Sequence, residues 1–143
     1  MTDKTYLMFQ QSELDGAEMY RQLTDLADSD EEKEILHSLR ADEGAHAGAL
    51  SGITGRKDLR PTQAMAKPVL AIGRNLGKTA MYLAMGLGEH AAYYLYQPLA
   101  AKRPQLKRIA RDERRHGEIL LAMAKKTAAE GTWKRLIPLD AAK

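Results

Sequence analysis

Apolar residues recur along this chain at three- and four-residue intervals, the period of a helix that buries one face. Tyr6, Phe9, Ala17, Tyr20, Leu23 and Ala27 form one such stripe over residues 5–28. Ile35, Leu36, Leu39 and Leu50 form a second over 30–51, and Tyr82, Met85, Ala92, Tyr93, Tyr96 and Leu99 a third over 77–100. Leu106, Ile109, Ala110, Leu120 and Met123 mark a fourth over 104–130. The pattern predicts an all-α chain forming a single domain over 1–143, with two helical hairpins joined by a long connection at 52–76.

The punctuation fits those limits. Ser29 followed three residues later by Glu32 reads as a capping box, and the acidic run Asp30, Glu31, Glu32 suits a helix N-terminus. Gly52, Gly55, Pro61 and Pro68 mark the connection, with a short helical piece expected just before residue 77. Pro98 is tolerable only near a helix end, and Pro104 fits a first turn. The tail 131–143, with Trp133 and Pro138, is expected to pack back across the bundle.

Ionisable residues interrupt each stripe. Glu13 lies seven residues from both Tyr6 and Tyr20, so it shares their face. Glu43 and His46 sit in the second stripe, Glu89 in the third, and Glu113 and His116 in the fourth. The segments ADEGAHAGAL (41–50) and RDERRHGEIL (111–120) both fit Asp-Glu-x-x-His-x-x-x-Leu. The chain thus repeats one unit twice: a helix with one inward Glu, a turn, and a helix with Glu-x-x-His.

Geometry supports the repeat. Antiparallel helices rise equally per residue, so groups at one level lie equidistant from the turn. The midpoint between Glu13 and the 43/46 pair is about residue 29, where the capping box sits. The midpoint between Glu89 and the 113/116 pair is about residue 102, two positions before Pro104.

Composition narrows the chemistry. The absence of cysteine excludes disulfides, iron–sulfur clusters and thiolate zinc. No secretory signal is visible at the N-terminus, so a cytoplasmic location is expected. The apolar window 79–101 holds Glu89 and His90 near its middle, which argues against membrane insertion. Net charge is +3, divided as −6 over residues 1–60 and +9 over 61–143. Two differently charged solvated faces account for this split, and nucleic acid is not an expected partner.

Four carboxylates and two imidazoles remain. Buried together, four ionised carboxylates would repel strongly, and two divalent cations would balance them. Oxygen-rich ligation with one imidazole per ion suits iron or manganese better than zinc. Asp42 and Asp112, each preceding a ligand Glu, are placed to accept the spare ring N–H of a histidine on a facing helix. Tyr20 and Tyr96, seven residues after Glu13 and Glu89, are placed to donate to ligand carboxylates. Gly44, Ala45, Ala47, Gly48, Gly86, Gly88, Ala91 and Ala92 are expected to permit close helix approach or leave room for a small oxidant. His37 and His90 read as surface or satisfied core histidines.

Over residues 5–128 this pattern resembles the ferritin-like superfamily, and within it the rubrerythrin-type di-iron domain. The resemblance implies a ferritin-like four-helix bundle with a long crossover. It implies two iron ions, with manganese an alternative at one or both positions, held by Glu13, Glu43, His46, Glu89, Glu113 and His116. Glu13 and Glu89 would be terminal ligands and Glu43 and Glu113 bridges. Dioxygen or hydrogen peroxide would be the reacting partner, in a ferroxidase- or peroxidase-like role, with an external electron donor or ferrous iron supplying electrons. A homo-oligomer, dimeric or larger, is also implied. The sequence departs from rubrerythrins at Ala92, where they carry an extra Glu, and from bacterioferritins at Gly44, where those carry the haem methionine. Quinone hydroxylases share the six-ligand scheme, so hydroxylation of an organic substrate is the alternative activity, and a non-catalytic mini-ferritin-like binding protein the other.

Overall fold

The structure, a computed structural model, describes residues 3–131. Its regular structure is helical among the described residues, with α1 (Asp3–Asp25), α2 (Asp30–Thr54), α3 (Ala66–Leu76), α4 (Lys78–Lys102) and α5 (Lys107–Ala129). A 3-10 turn, Pro104–Leu106, leads into α5. The chain divides into two compact units, Met1–Pro68 and Val69–Lys143. The first is the α1–α2 hairpin with the connection that follows it, and the second contains the α4–α5 hairpin.

In the first unit α1 ends at Asp25, three residues before the expected limit, and the turn at 26–29 hands over to the cap of α2. Ser29 Oγ accepts the amide of Glu32 at 3.1 Å, as a capping box requires. The return arm is shifted by one residue, because the Glu32 carboxylate accepts from the amide of Asp28 at 2.8 Å. At the other end α2 runs to Thr54 and stops at Gly55, whose φ of 71° is the left-handed cap that glycine adopts without a Cβ penalty. The core of this hairpin is Tyr6, Met19, Tyr20, Leu23, Leu36, Leu39, Ala47 and Leu50, all buried. Each large member stabilises the fold by about 1.5–3 kcal/mol through area removed from water.

Residues 55–62 carry no regular secondary structure and 63–65 bend and turn into the next helix, yet the segment is tied down along α1. Gln10 Nε2 donates to the carbonyl of Arg56 and Gln11 Nε2 to that of Arg60, each at 2.8 Å. Asp15 Oδ1 accepts the amide of Thr62 at 2.6 Å, and Gln22 bonds Gln63 at 2.7 Å. Gln10 and Asp15 are buried polar residues, and these bonds are what makes that burial tolerable. The chain then forms α3, an 11-residue helix that accounts for the helical piece expected before residue 77.

Gly77 separates α3 from α4. Its φ of 93° lies where an L side chain is strained, so one glycine turns what would be continuous helix into two. Within the second unit, Met81, Tyr82, Met85, Tyr96 and Leu99 of α4 are buried together with Ile109, Ala110, Leu120 and Met123 of α5. Pro98 lies inside α4, four residues before its end. Leu76, the last residue of α3, is 67% exposed. The tail 132–143, with Trp133 and Pro138, lies outside the described residues. Among the described residues, no helix is long and apolar enough to cross a membrane.

Candidate metal centre

Each hairpin gathers three potential ligands. In the first, Glu13 projects from α1, and Glu43 and His46 project from one face of α2, because an i, i+3 spacing brings their side chains together. One ligand atom from each lies within 4.8 Å of the others. His46 Nδ1 is 3.1 Å from Glu13 Oε2 and 3.9 Å from Glu43 Oε1. All three residues are at most 4% exposed. The second hairpin repeats the set. Glu89 comes from α4, Glu113 and His116 come from α5, and their ligand atoms also lie within 4.8 Å of one another. His116 Nδ1 is 3.8 Å from Glu113 Oε1, and exposure runs from 0% at His116 to 8% at Glu89.

Two carboxylates this close are costly when both are ionised. At 4.8 Å, the largest separation within the group, and an effective dielectric near 20, their repulsion is about 3.5 kcal/mol. A divalent cation would reverse that sign, and two carboxylates with one imidazole match its charge. The donor set therefore fits a metal ion in each hairpin. At the level of single atoms, Glu43 Oε1, Glu113 Oε1 and His116 Nδ1 are buried and make no hydrogen bond, although each of the three residues has other partners.

Tyr20 and Tyr96 are fully buried, in the same hairpins as Glu13 and Glu89 respectively. Asp42 is half-buried. Asp112 is half-buried too, and its carboxylate lies 3.3 Å from Arg115 and 3.9 Å from Arg108 of the same helix. Arg114 likewise finds a partner on its own helix, Glu118 at 3.3 Å. A cleft of about 710 Å³ opens beside it, lined by Lys107, Arg111 and Arg114 against Tyr93.

The small residues expected around the ligands behave differently. Gly44, Gly48 and Gly88 face open space, and Ala45 and Ala91 are exposed. Close approach is made by Gly86, one of the expected positions, and by Gly16 and Gly117, which are not among them. A Cβ on Gly16 of α1 would run into the Glu43 carboxylate of α2, and one on Gly117 would meet the His90 ring at 2.9 Å. Gly86 faces Leu121 and the carbonyl of Gly117. Gly16 and Gly117 carried a sequence signal that spacing alone did not use. A glycine inside a helix costs about 1 kcal/mol relative to alanine, and each stands beside or one turn from a ligand. His90 is half-buried and rests its ring on Gly117, whereas His37 is exposed.

No protein-family model matches this chain, and neither does any curated protein or solved structure.

Proposed function

We propose that this chain is a dinuclear iron carboxylate protein that reacts with dioxygen or hydrogen peroxide in the manner of a ferroxidase or peroxidase. Manganese would be able to replace iron at one or both positions. The observation that carries the reading is the repeat: one glutamate from the first helix of each hairpin and a Glu-x-x-His pair from the second make a buried triad, twice. A ferritin-like four-helix arrangement belongs to the same proposal, because it is the fold that supplies such ligand sets from facing helices.

When bound, the metal ions supply electrons to the oxidant and act as Lewis acids toward it. The chain's own residues do the rest. Glu13, Glu43, Glu89 and Glu113 bind the cations and offset their charge. His46 and His116 each bring a nitrogen to within 4 Å of a carboxylate oxygen, so each would complete a ligand set with it. The buried leucines and tyrosines of each hairpin would keep water from the ions and so strengthen the charge interactions inside. Tyr20 and Tyr96, buried in the same hairpins, would donate to a ligand carboxylate. Electrons would come from ferrous iron itself or from a separate donor.

The test is anaerobic titration with ferrous iron, with metal content and the magnetic coupling between ions measured, followed by stopped-flow mixing with dioxygen and with peroxide in separate runs. About two iron per chain, coupled, and oxidised faster than iron in buffer is the expected result. Absence of stoichiometric metal, or binding unchanged in the double variant Glu43→Ala with Glu113→Ala, would remove the proposal.

A further inference from the structure

The helix α4 has two apolar faces, and only one is covered. Met81, Tyr82, Met85, Tyr96 and Leu99 are buried, whereas Leu83, Leu87, Tyr94 and Leu95 are 45%, 58%, 70% and 60% exposed. These four make up most of the large hydrophobics that lie exposed among the described residues. Ala80, Ala84, Ala91 and Pro98 fill the positions between them. From Thr79 to Ala101 the only acid is Glu89 and the only basic side chain is His90. Glu89 is buried, and His90 rests its ring against Gly117 of α5, so neither places a charge on the exposed stripe. A helix that is apolar on both sides is one that is covered on both sides.

The spacing of the stripe says what covers it. Ala80, Ala84, Leu87, Ala91, Tyr94 and Pro98 alternate at intervals of three and four, a heptad seam. Laid antiparallel on a second copy about a twofold axis at residue 89, Leu87 falls opposite Ala91, and Tyr94 opposite Ala84. Ala80 then meets Pro98, and Leu83 flanks Leu95. In the central layers each large side chain faces a small one, so the stripe is complementary to itself, as a twofold interface requires. Taking about 200 Å² for a whole tyrosine and about 100 Å² for a leucine side chain, the four exposures sum to roughly 300 Å² per copy. The intervening alanines, the proline and the neighbouring polar stems raise this to about 500 Å². A pair then buries about 1,000 Å², the lower limit of a specific interface. We infer that α4 is a homodimer seam, in which two copies of this chain pair through antiparallel α4 helices centred on residue 89, with affinity on the order of micromolar.

Two experiments on the full chain test this. Sedimentation velocity from low to high micromolar concentration should show the mass rising from monomer to dimer. Leu87→Glu, which places its charge at two symmetry-related points of the seam, should weaken association at least about 100-fold while leaving the melting temperature of the monomer in place. The second uses the absence of native cysteine. Leu87→Cys mixed with Ala91→Cys and oxidised should cross-link efficiently, and either variant alone should not, because the antiparallel register brings only the unlike pair into disulfide reach. A mass that stays monomeric throughout would overturn the inference. So would Leu87→Cys cross-linking as well alone as in the mixture, since that is the signature of parallel pairing. Sedimentation of the monomer with phosphatidylcholine vesicles, without self-association, would assign the stripe to a lipid surface and overturn it equally.

Discussion

Replacing Gly16 with alanine separates metal binding from folding in a single atom. The added Cβ would occupy the space of the Glu43 carboxylate, whose Oε2 approaches Gly16 more closely than any real Cβ contact allows. In the metal-free protein, alanine improves helix propensity at this interior position by up to about 1 kcal/mol. Glu43 must leave its position, at a cost of roughly 0.5–1.5 kcal/mol for an unfavourable rotamer or a change of partners. The two effects nearly cancel, so the melting temperature without metal should move by no more than about 3–4 °C. Metal binding has no such compensation, because the displaced group is one of only three ligands in its hairpin. Affinity at that site should fall at least about tenfold, which is 1.4 kcal/mol. Gly48→Ala is the matched control. It lies on α2 two residues after His46, its added Cβ meets nothing within 4 Å, and it should gain helix propensity with no change in affinity. The assay is competition of Mn(II) or Fe(II) against a chromophoric chelator, with thermal unfolding run with and without metal. If Gly16→Ala binds like the wild type and is stabilised like Gly48→Ala, the contact does not position Glu43 and the argument fails.

Three further outcomes are expected. His46→Ala and His116→Ala should each lower iron stoichiometry by about one per chain, measured by elemental analysis after anaerobic loading, if each hairpin holds its own ion. Leu36→Ala, at a position with no exposure, should destabilise the protein by about 2–5 kcal/mol in urea unfolding, without changing which metal ions bind. The hydrogen bonds and charge of Arg21, helped by Gln22, hold the Glu18 carboxyl down from 4.5 to about 2. Its stabilising contribution is therefore complete above pH 4.5 and is lost as the pH falls through about 2. Arg21 is 41% exposed, so the contribution is under about 1 kcal/mol. Arg21→Met should shift the acid-unfolding midpoint slightly upward, and an unchanged acid limb would show that the pair contributes nothing.

Much of this was legible before any coordinates, for definable reasons. Glu13, Glu43, His46, Glu113 and His116 stood out because a helical stripe has a fixed period and ionisable groups break it visibly. The turn at 26–29 and the cap at Ser29 were legible because capping chemistry depends on a few local atoms. Gly16 and Gly117 were not, because their role depends on which side chain of the neighbouring helix arrives opposite, and this is set by rotation of one helix against another. The outward face of α4 is hard to read from the sequence for a related reason. Once a stripe of the right period had been found, Leu83, Leu87 and Leu95 added no new period to detect. The path of residues 55–65 was hidden too, since it depends on polar side chains of α1 reaching backbone groups more than 40 positions away in the chain.

That last arrangement divides what can vary from what cannot. Along the strap α1 reads backbone atoms: the carbonyls of Arg56 and Arg60 and the amide of Thr62. Almost any residue offers the same carbonyl, and any residue but proline the same amide. The identities of residues 56–62 can therefore drift while their path stays fixed, provided that Gln10, Gln11 and Asp15 remain on α1. Information about the route of the connection is stored in a helix that the connection merely passes. Two chains with this strap can have the same shape there and share almost no letters.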